Sequence, residues 1–261
     1  MVKASIVIPS LDREDSLKLC LASLEEQDEQ DTEVILLREK GELAKLRNEG
    51  WRKAKSDIVV FIDDDVVCQK TWLSGILRAF NDPRVGGVSG PSIIPLAFQG
   101  NRDIFRVKWA KVIYDKFFCE GKETLTGHIT HSGAWTTGAS LEDCVYEGEV
   151  DFLEACNQSY RKSCLEAVGG FDENYRGVGD WSEPDLSMRI RQSGYKLLFT
   201  QGARLYHLPS KTGAYAKRLS DNTRYHNYRL FAKRWVKPCF KHWLYLRFLE
   251  GYFLAKRMRV V

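Results

Sequence analysis

Asp63, Asp64 and Asp65 stand together at the end of the apolar run Val59-Val60-Phe61-Ile62. One aspartate at a strand end can simply cap the next turn. Three adjacent carboxylates repel one another, raise each other's pKa values and cost stability unless a cation or hydrogen-bond donors compensate. A divalent metal is the economical explanation. Hard carboxylate oxygens with no nearby cysteine pair favour Mg²⁺ or Mn²⁺ over Zn²⁺, and Mg²⁺ characteristically shares its coordination with substrate phosphates. The implied substrate carries a diphosphate. A second acidic pair, Glu183 and Asp185 in "WSEPDLSMR", opens a helical pattern. Carboxylates in a first turn stabilise a helix through its dipole, and by position alone that accounts for them. His207, in "LYHLPS", follows a strand pattern. A lone histidine so placed reads by itself as a satisfied surface or core residue.

Positioning such groups is the task of the surrounding elements. "ASIVIPS" (4–10), "TEVILL" (32–37) and "DIVVFI" (57–62) are strand patterns. Helical patterns follow each, marked by Leu17, Leu21 and Leu24, then Ala44, Trp51 and Ala54, then Trp72, Leu73, Ile76, Leu77 and Phe80. Strand–helix units of this length predict an α/β fold with a mostly parallel sheet covered on both faces. Ligands in such sheets bind beyond the strand C-termini. That rule gathers residues 9–13, 38–41 and 63–65 at one cleft. "VGGVSGPSIIP" (85–95) reads as a further strand, "CLEAVGGFDENY" (164–175) as a short helix stopped by Gly169-Gly170, and "KLLFT" (196–200) as a strand. The helix 182–195 is predicted with Ser182 as N-cap, Pro184 in its first turn and Gly194 beyond its end. Residues 97–150 give mixed signals.

A chain of 261 residues, 28% charged and 44% hydrophobic, is long enough for a sizeable core. Its seven cysteines are odd in number and never spaced C-x-x-C, which argues against a disulfide framework and a zinc site and suits a reducing compartment. Pro9 breaks the first apolar run, too early for a signal-peptide core, and no run elsewhere reaches a membrane span. Charge is uneven. Residues 215–261 hold 12 Lys/Arg against 2 Asp/Glu, together with 11 aromatic residues, whereas residues 1–214 are net negative. A basic aromatic-rich helix suits an anionic membrane surface through residues 236–261, or packs on the body with Phe240, Trp243, Leu244, Phe248 and Tyr252 as its buried face. A nucleic acid is not expected as partner. The predicted location is cytoplasmic, with peripheral contact at the membrane face.

Several of these motifs, in this order, resemble family 2 glycosyltransferases of the GT-A (Rossmann-like) fold. The resemblance covers about residues 4–95 and 150–210. It is carried by "SIVIPSLDRED", "KGELAKLRNEGWRKAKSDIVVFIDDDV" and "ACNQSYRKSCLEAVGGFDENY". It implies a catalytic domain over residues 1–214, split near 95 into nucleotide-binding and acceptor parts, followed by a helical extension over 215–261. By the same resemblance, Pro9, Ser10 and Arg13 contact the nucleoside, and Lys40, Arg47 and Asn48 lie near the base or diphosphate. Read without it, the first group is a strand-ending turn and the second a solvated helix face. The family's D-x-D pattern falls on Asp63 and Asp65, with Asp65 on the metal, Asp63 on ribose or metal, and Asp64 between them. His207 matches a histidine that completes the metal site in some members. In the acidic motif Ser182 replaces the first acid, Glu183 falls where the usual base stands, and Asp185 is the alternative base. Trp181 and Trp135 fall on the acceptor side, and residues 222–235 can also line the site.

The implied reaction is metal-dependent, inverting transfer of a sugar from a nucleotide-diphosphate donor, by default a UDP-sugar, to a hydroxyl of a saccharide or lipid-linked acceptor. A metal-dependent nucleotidyl or phosphoryl transferase would also use clustered aspartates. A nucleotide-sugar-binding protein without turnover is the non-catalytic alternative.

Overall fold

The computed structural model describes residues 2–99, 108–122, 124–136, 138–209 and 223–258. The chain opens with β1 (Ala4–Pro9), α1 (Glu14–Glu25), β2 (Thr32–Leu37), α2 (Leu43–Lys53) and β3 (Ile58–Ile62). β1 pairs in parallel with both β2 and β3. A strand between two helical layers is apolar on both faces, and β1 divides accordingly. Ile6 and Ile8 pack with Leu17 and Cys20 on the α1 side, while Val7 packs with Ala44 and Trp51 of α2 on the other. The approach of α2 is close enough that a Cβ on Gly50 would stand 2.3 Å from Val7 Cγ1. Edge strand β2 is only partly buried.

After β3 come β4 (Val66–Cys68), α3 (Trp72–Ala79), β5 (Val85–Ser89), β6 (Ser92–Ile93), α4 (Leu96–Gln99) and α5 (Lys108–Ile113), which runs into a π-turn over Tyr114–Phe118. The chain continues through β7 (Gly148–Glu149), β8 (Asn157–Arg161), α6 (Lys162–Val168), α7 (Ser182–Gln192), β9 (Lys196–Phe199) and β10 (Leu205–His207). It closes with α8 (Thr223–Trp235) and α9 (Phe240–Met258).

The main sheet has seven strands in the order β2-β1-β3-β8-β5-β9-β7. Five run in one direction; β8 is antiparallel to both neighbours and β7 is antiparallel to β9. A second sheet, β4-β10-β6, leaves the main one where β3 ends. The predicted fold class therefore holds, a mostly parallel sheet between helical layers, with antiparallel members that periodicity did not reveal.

Two local expectations are corrected. α7 begins at Ser182, and the capping position is Trp181 with φ 76° and no side-chain cap bond. The Ser182 hydroxyl is buried without a hydrogen bond, so it caps nothing. The buried face of α9 is corrected in part: Leu244, Phe248 and Tyr252 pack against the core as expected, but Phe240 and Trp243 do not. Tyr245 and Leu249 face the core, whereas Phe240 is 75% and Trp243 52% exposed. Gly169 ends α6 with φ 77° and Gly194 follows α7 with φ 91°, both as predicted. All seven cysteines are free thiols, six of them buried.

Candidate functional site

β3 stops at Ile62 and β4 starts at Val66, so the three aspartates occupy the gap where the two sheets part. β10 lies antiparallel to β4 with His207 opposite Val66, and the Leu208 N–H donates to the Asp65 carbonyl at 2.8 Å. Backbone pairing thus brings an imidazole from 142 residues downstream of Asp65 to the cluster.

The carboxylates have separate surroundings. Asp64 is fully buried and accepts from Ser10 Oγ at 2.7 Å and Arg13 Nε at 3.2 Å. Burial pushes its carboxyl up to about 6, against the Ser10 bond and the Arg13 charge, with Asp65 and Asp63 adding repulsion. Asp65 is paired with Arg13 Nη1 at 2.7 Å and faces His207 Nε2 at 3.2 Å. Burial alone would raise the Asp65 carboxyl, but the His207 and Arg13 contacts outweigh it and hold it below the usual range. Burial likewise opposes charge on His207, yet the neighbouring Cys156 sulfur and Asp65 bring the imidazole up to about 10. Asp63, the most accessible of the three, lies 3.5 Å from Arg47 Nη2.

Asp63, Asp65 and His207 each offer an atom within 4.8 Å of the others. Asp65 Oδ1 and His207 Nδ1 are both buried without a hydrogen bond. Two hard oxygens and one imidazole, with unsatisfied buried atoms among them, fit a divalent cation.

Arg47 ties this cluster to the second acidic group. Its guanidinium is 1% exposed, and Nη2 lies between Asp63 and the Ala155 carbonyl, at 3.1 Å from the latter. Nη1 is ion-paired with Glu183 in the first turn of α7. Burial raises the Glu183 carboxyl above its ordinary value and the Arg47 charge partly restores it.

Asp185 stands apart from this chain of contacts. It is fully buried and accepts from Arg189 Nε at 2.8 Å, Arg234 Nη1 at 2.5 Å and Trp235 Nε1 at 2.9 Å. Two of those donors come from α8, which grips the whole approach to the acidic motif. Arg234 reaches Asp172 at 3.0 Å, the Asn227 side chain makes two 3.0 Å bonds to the Arg176 backbone, and Arg224 lies 3.3 Å from Asp180. Trp181 is buried in the aromatic cluster with Tyr228 and Phe231, its ring 3.9 Å from Trp135.

The residues predicted from sequence are thus partly gathered. Ser10, Arg13, Arg47, Asp63, Asp64, Asp65, His207 and Glu183 form one connected group. Pro9 ends β1 beside it, paired with Leu37. Lys40 is exposed in the loop after β2. Asn48 is turned into the protein, where it joins α2 to the segment after α6. It donates to the Phe171 carbonyl and to Glu173, each at 2.8 Å, and accepts from Trp51 and the Phe171 N–H. Gly170 makes that join possible: it has φ 73°, and a Cβ there would lie 2.4 Å from Asn48 Oδ1. Asn227, Arg234 and Trp235 were not singled out in the sequence; they lie within residues 222–235, which the resemblance allowed to line the site, and here they brace the acidic motif.

The seven-stranded, mostly parallel sheet between helical layers, with a second small sheet leaving it at the aspartates, has the GT-A type of fold. The profile of glycosyl transferase family 2 matches residues 36–167, and the chain belongs to that family. Among curated relatives, the pre-mycofactocin glycosyltransferase of Mycobacterium tuberculosis is 25% identical over 164 residues, 63% of this chain and 29% of that protein. The O-antigen chain rhamnosyltransferase WbaN of Salmonella anatum is 29% identical over 171 residues, 62% of this chain and 44% of its own length. The matches therefore span less than half of either relative. Among solved structures, S. aureus TarS in complex with UDP-GlcNAc aligns over 98% of this chain and 73% of its own, with a TM-score of 0.60 at 14% identity. The mannosyltransferase PcManGT from Pyrobaculum calidifontis, in complex with GDP-Man and Mn²⁺, covers 97% of this chain and 70% of its own, with a TM-score of 0.57 at 18% identity. These two likenesses concern the fold.

Proposed function

We propose that the protein is an inverting, metal-dependent transferase that moves a sugar from a nucleotide-diphosphate donor to an acceptor hydroxyl, with Glu183 as the base. The observation that carries this reading is Arg47, whose two terminal nitrogens link Asp63 of the aspartate cluster to Glu183. One guanidinium joins a cation-binding end to a carboxylate that can accept a proton. Inverting transfer needs those two functions on opposite sides of the sugar.

Asp63, Asp65 and His207 would hold a divalent cation, Mn²⁺ or Mg²⁺, which when bound offsets the negative charge of the departing diphosphate. Asp64 does different work. It is locked by Ser10 and Arg13 and holds the β1–α1 loop against the cluster, where a nucleoside would lie. Pro9 ends β1 beside the cluster, and Lys40, exposed in the loop after β2, is assigned to the donor by the resemblance alone. Glu183 accepts the proton of the attacking hydroxyl, and Arg47 keeps its carboxylate oriented and ionised. Asp185 serves as a positioning residue for α7, and Asn48 for the segment after α6. The domain reading takes residues 1–214 as catalytic and 215–261 as an extension that braces them. Two of the solved neighbours hold GDP-Man and UDP-GlcNAc; a UDP-sugar is the first donor to test.

Asp65→Asn is expected to remove cation-dependent donor binding. In a thermal-shift titration with Mn²⁺ and a panel of nucleotide sugars, a ligand at 100 times its Kd stabilises by about 2.7 kcal/mol; Asp65→Asn should show none of this shift, and Asp64→Asn a reduced one. Equal, small losses at Asp63, Asp64 and Asp65 would contradict the division made among them.

A pH profile tests the base. Glu183 must be ionised to accept a proton, and burial raises its carboxyl above 4.5. The acid limb of kcat/KM should therefore lie above the ordinary carboxylate range, with activity rising as pH increases through it. Arg47 lowers that value, so Arg47→Gln should move the limb to higher pH. An acid limb unmoved by Arg47→Gln would remove Glu183 as the titrating group.

A further inference from the structure

An apolar patch in a basic setting lies on the outside of the C-terminal half. The helical segment from Lys108 to Phe118 buries Tyr114 and Phe118 and leaves Trp109 64%, Val112 52%, Ile113 40% and Phe117 47% exposed. α9 is built the same way, with Tyr245 and Leu249 inward and Phe240 and Trp243 outward. The two segments are packed together. The Phe118 ring lies 4.8 Å from Tyr245 and 5.0 Å from Phe248, and Lys241 Nζ sits 5.4 Å over the Phe117 ring while paired with Glu120 at 2.9 Å. Six large apolar side chains thus stand on adjoining outer faces.

The charges around them are one-sided. Residues 108–122 and 223–258 together carry thirteen Lys/Arg against three Asp/Glu. Each of those acids is already matched: Asp115 by Lys111, Glu120 by Lys241 and Glu250 by Arg247. Arg224 and Arg234 are matched from within the protein, by Asp180 and by Asp172 and Asp185, and the remaining excess, including the exposed Lys116 and Lys237, is available to a partner. Val112 and Ile113 offer a nucleic acid nothing to stack on or hydrogen-bond. A bilayer surface uses both features, the aromatic and aliphatic groups at the headgroup–acyl boundary and the lysines and arginines among anionic headgroups.

We propose that the segment 108–118 and α9 form one composite face that docks on an anionic lipid bilayer. This extends the membrane contact expected of residues 236–261 to a second element, and it bears on the reaction. Tyr114 OH donates to the Trp135 carbonyl at 3.0 Å, and Trp135 stacks on Trp181 immediately before the first turn that holds Glu183. The docked face is therefore in direct packing contact with the acceptor side, which suits a lipid-linked acceptor. That last step rests on the transferase reading; the docking does not.

The test is co-sedimentation of the full chain with vesicles of phosphatidylcholine, with and without phosphatidylglycerol, alongside UDP-sugar thermal shift. Anionic vesicles should retain the protein about tenfold better than neutral ones at low salt, with the preference declining as salt rises. The triple variant Trp109→Ser, Phe240→Ser, Trp243→Ser, all at exposed positions, should lose about tenfold of that retention while keeping the wild-type donor shift. Lys116→Glu with Lys237→Glu is a second, independent variant with the same expectation. Equal binding to both vesicles, undiminished binding by both variants, self-association through this face, or retention by nucleic acid in place of vesicles would each overturn the proposal. Vesicle binding without any donor shift would leave the docking intact and count against the transferase reading.

Discussion

Glu183→Gln is expected to leave donor binding at its wild-type level and to lower the rate of sugar transfer by about 10²–10⁴-fold, the span attributed to a positioned general base. The amide keeps the size of the side chain and an oxygen for Arg47, so the chain of contacts from Asp63 through Arg47 survives while the proton acceptor is lost. The measurement is single-turnover transfer together with the donor thermal shift. Unchanged transfer with unchanged binding would exclude Glu183 as base. Loss of donor binding as well would show that its partnership with Arg47 matters more to the donor site than to proton transfer.

Asp185→Ala should be the more damaging change to the protein itself. The carboxylate is fully buried and satisfies donors on Arg189, Arg234 and Trp235. Removing it takes the acceptor from Arg189 Nε, Arg234 Nη1 and the Trp235 indole N–H, leaving Arg234 only Asp172 and Arg189 only the Val168 carbonyl. Breaking a buried ion pair from one side costs 3–5 kcal/mol; because Arg234 is 39% exposed and can rehydrate, about 3 kcal/mol is expected. For a chain of this length that lowers Tm by about 6–12 °C. Asp185→Asn keeps an acceptor for Trp235 and should fall between. A Tm within about 2 °C of wild type for Asp185→Ala would show that α8 does not brace α7 through this residue.

Legibility in the sequence followed the physics of each element. The first three strand–helix units were readable because strands buried on both faces are continuous apolar runs and their helices repeat at 3.6 residues. β8 was not readable. "NQSYR" is polar, yet Asn157, Gln158, Ser159 and Tyr160 are all buried, with Asn157 bonded to the Gly90 and Ala203 carbonyls and to Trp72, and Ser159 to the Val88 carbonyl. Those partners come from segments 46 to 85 residues away, so no local window contains the reason for burial. The aspartate cluster could be located from sequence because carboxylates at a strand end are a local anomaly. The separate surroundings of Asp64 and Asp65 were not legible in the local pattern, because they depend on Arg13 and His207; only the family resemblance set Asp65 apart. The same holds for Asn48: the resemblance put it with Arg47 near the base or diphosphate, whereas in the fold the two side chains serve different partners.

His207 reaches Asp65 only because β10 pairs with β4, across a sequence separation of about 140 residues. Contacts that close so much chain form late, since loop entropy is lost before they return anything. Asp63 and Asp65 can be in place as soon as β3 has joined β1, but the imidazole joins them last. During refolding, recovery of cation affinity should therefore lag behind recovery of the N-terminal parallel strands, and a chain still folding would present two acids with no third ligand. On the proposed cation reading, the junction of the two sheets makes that site a reporter of completed topology.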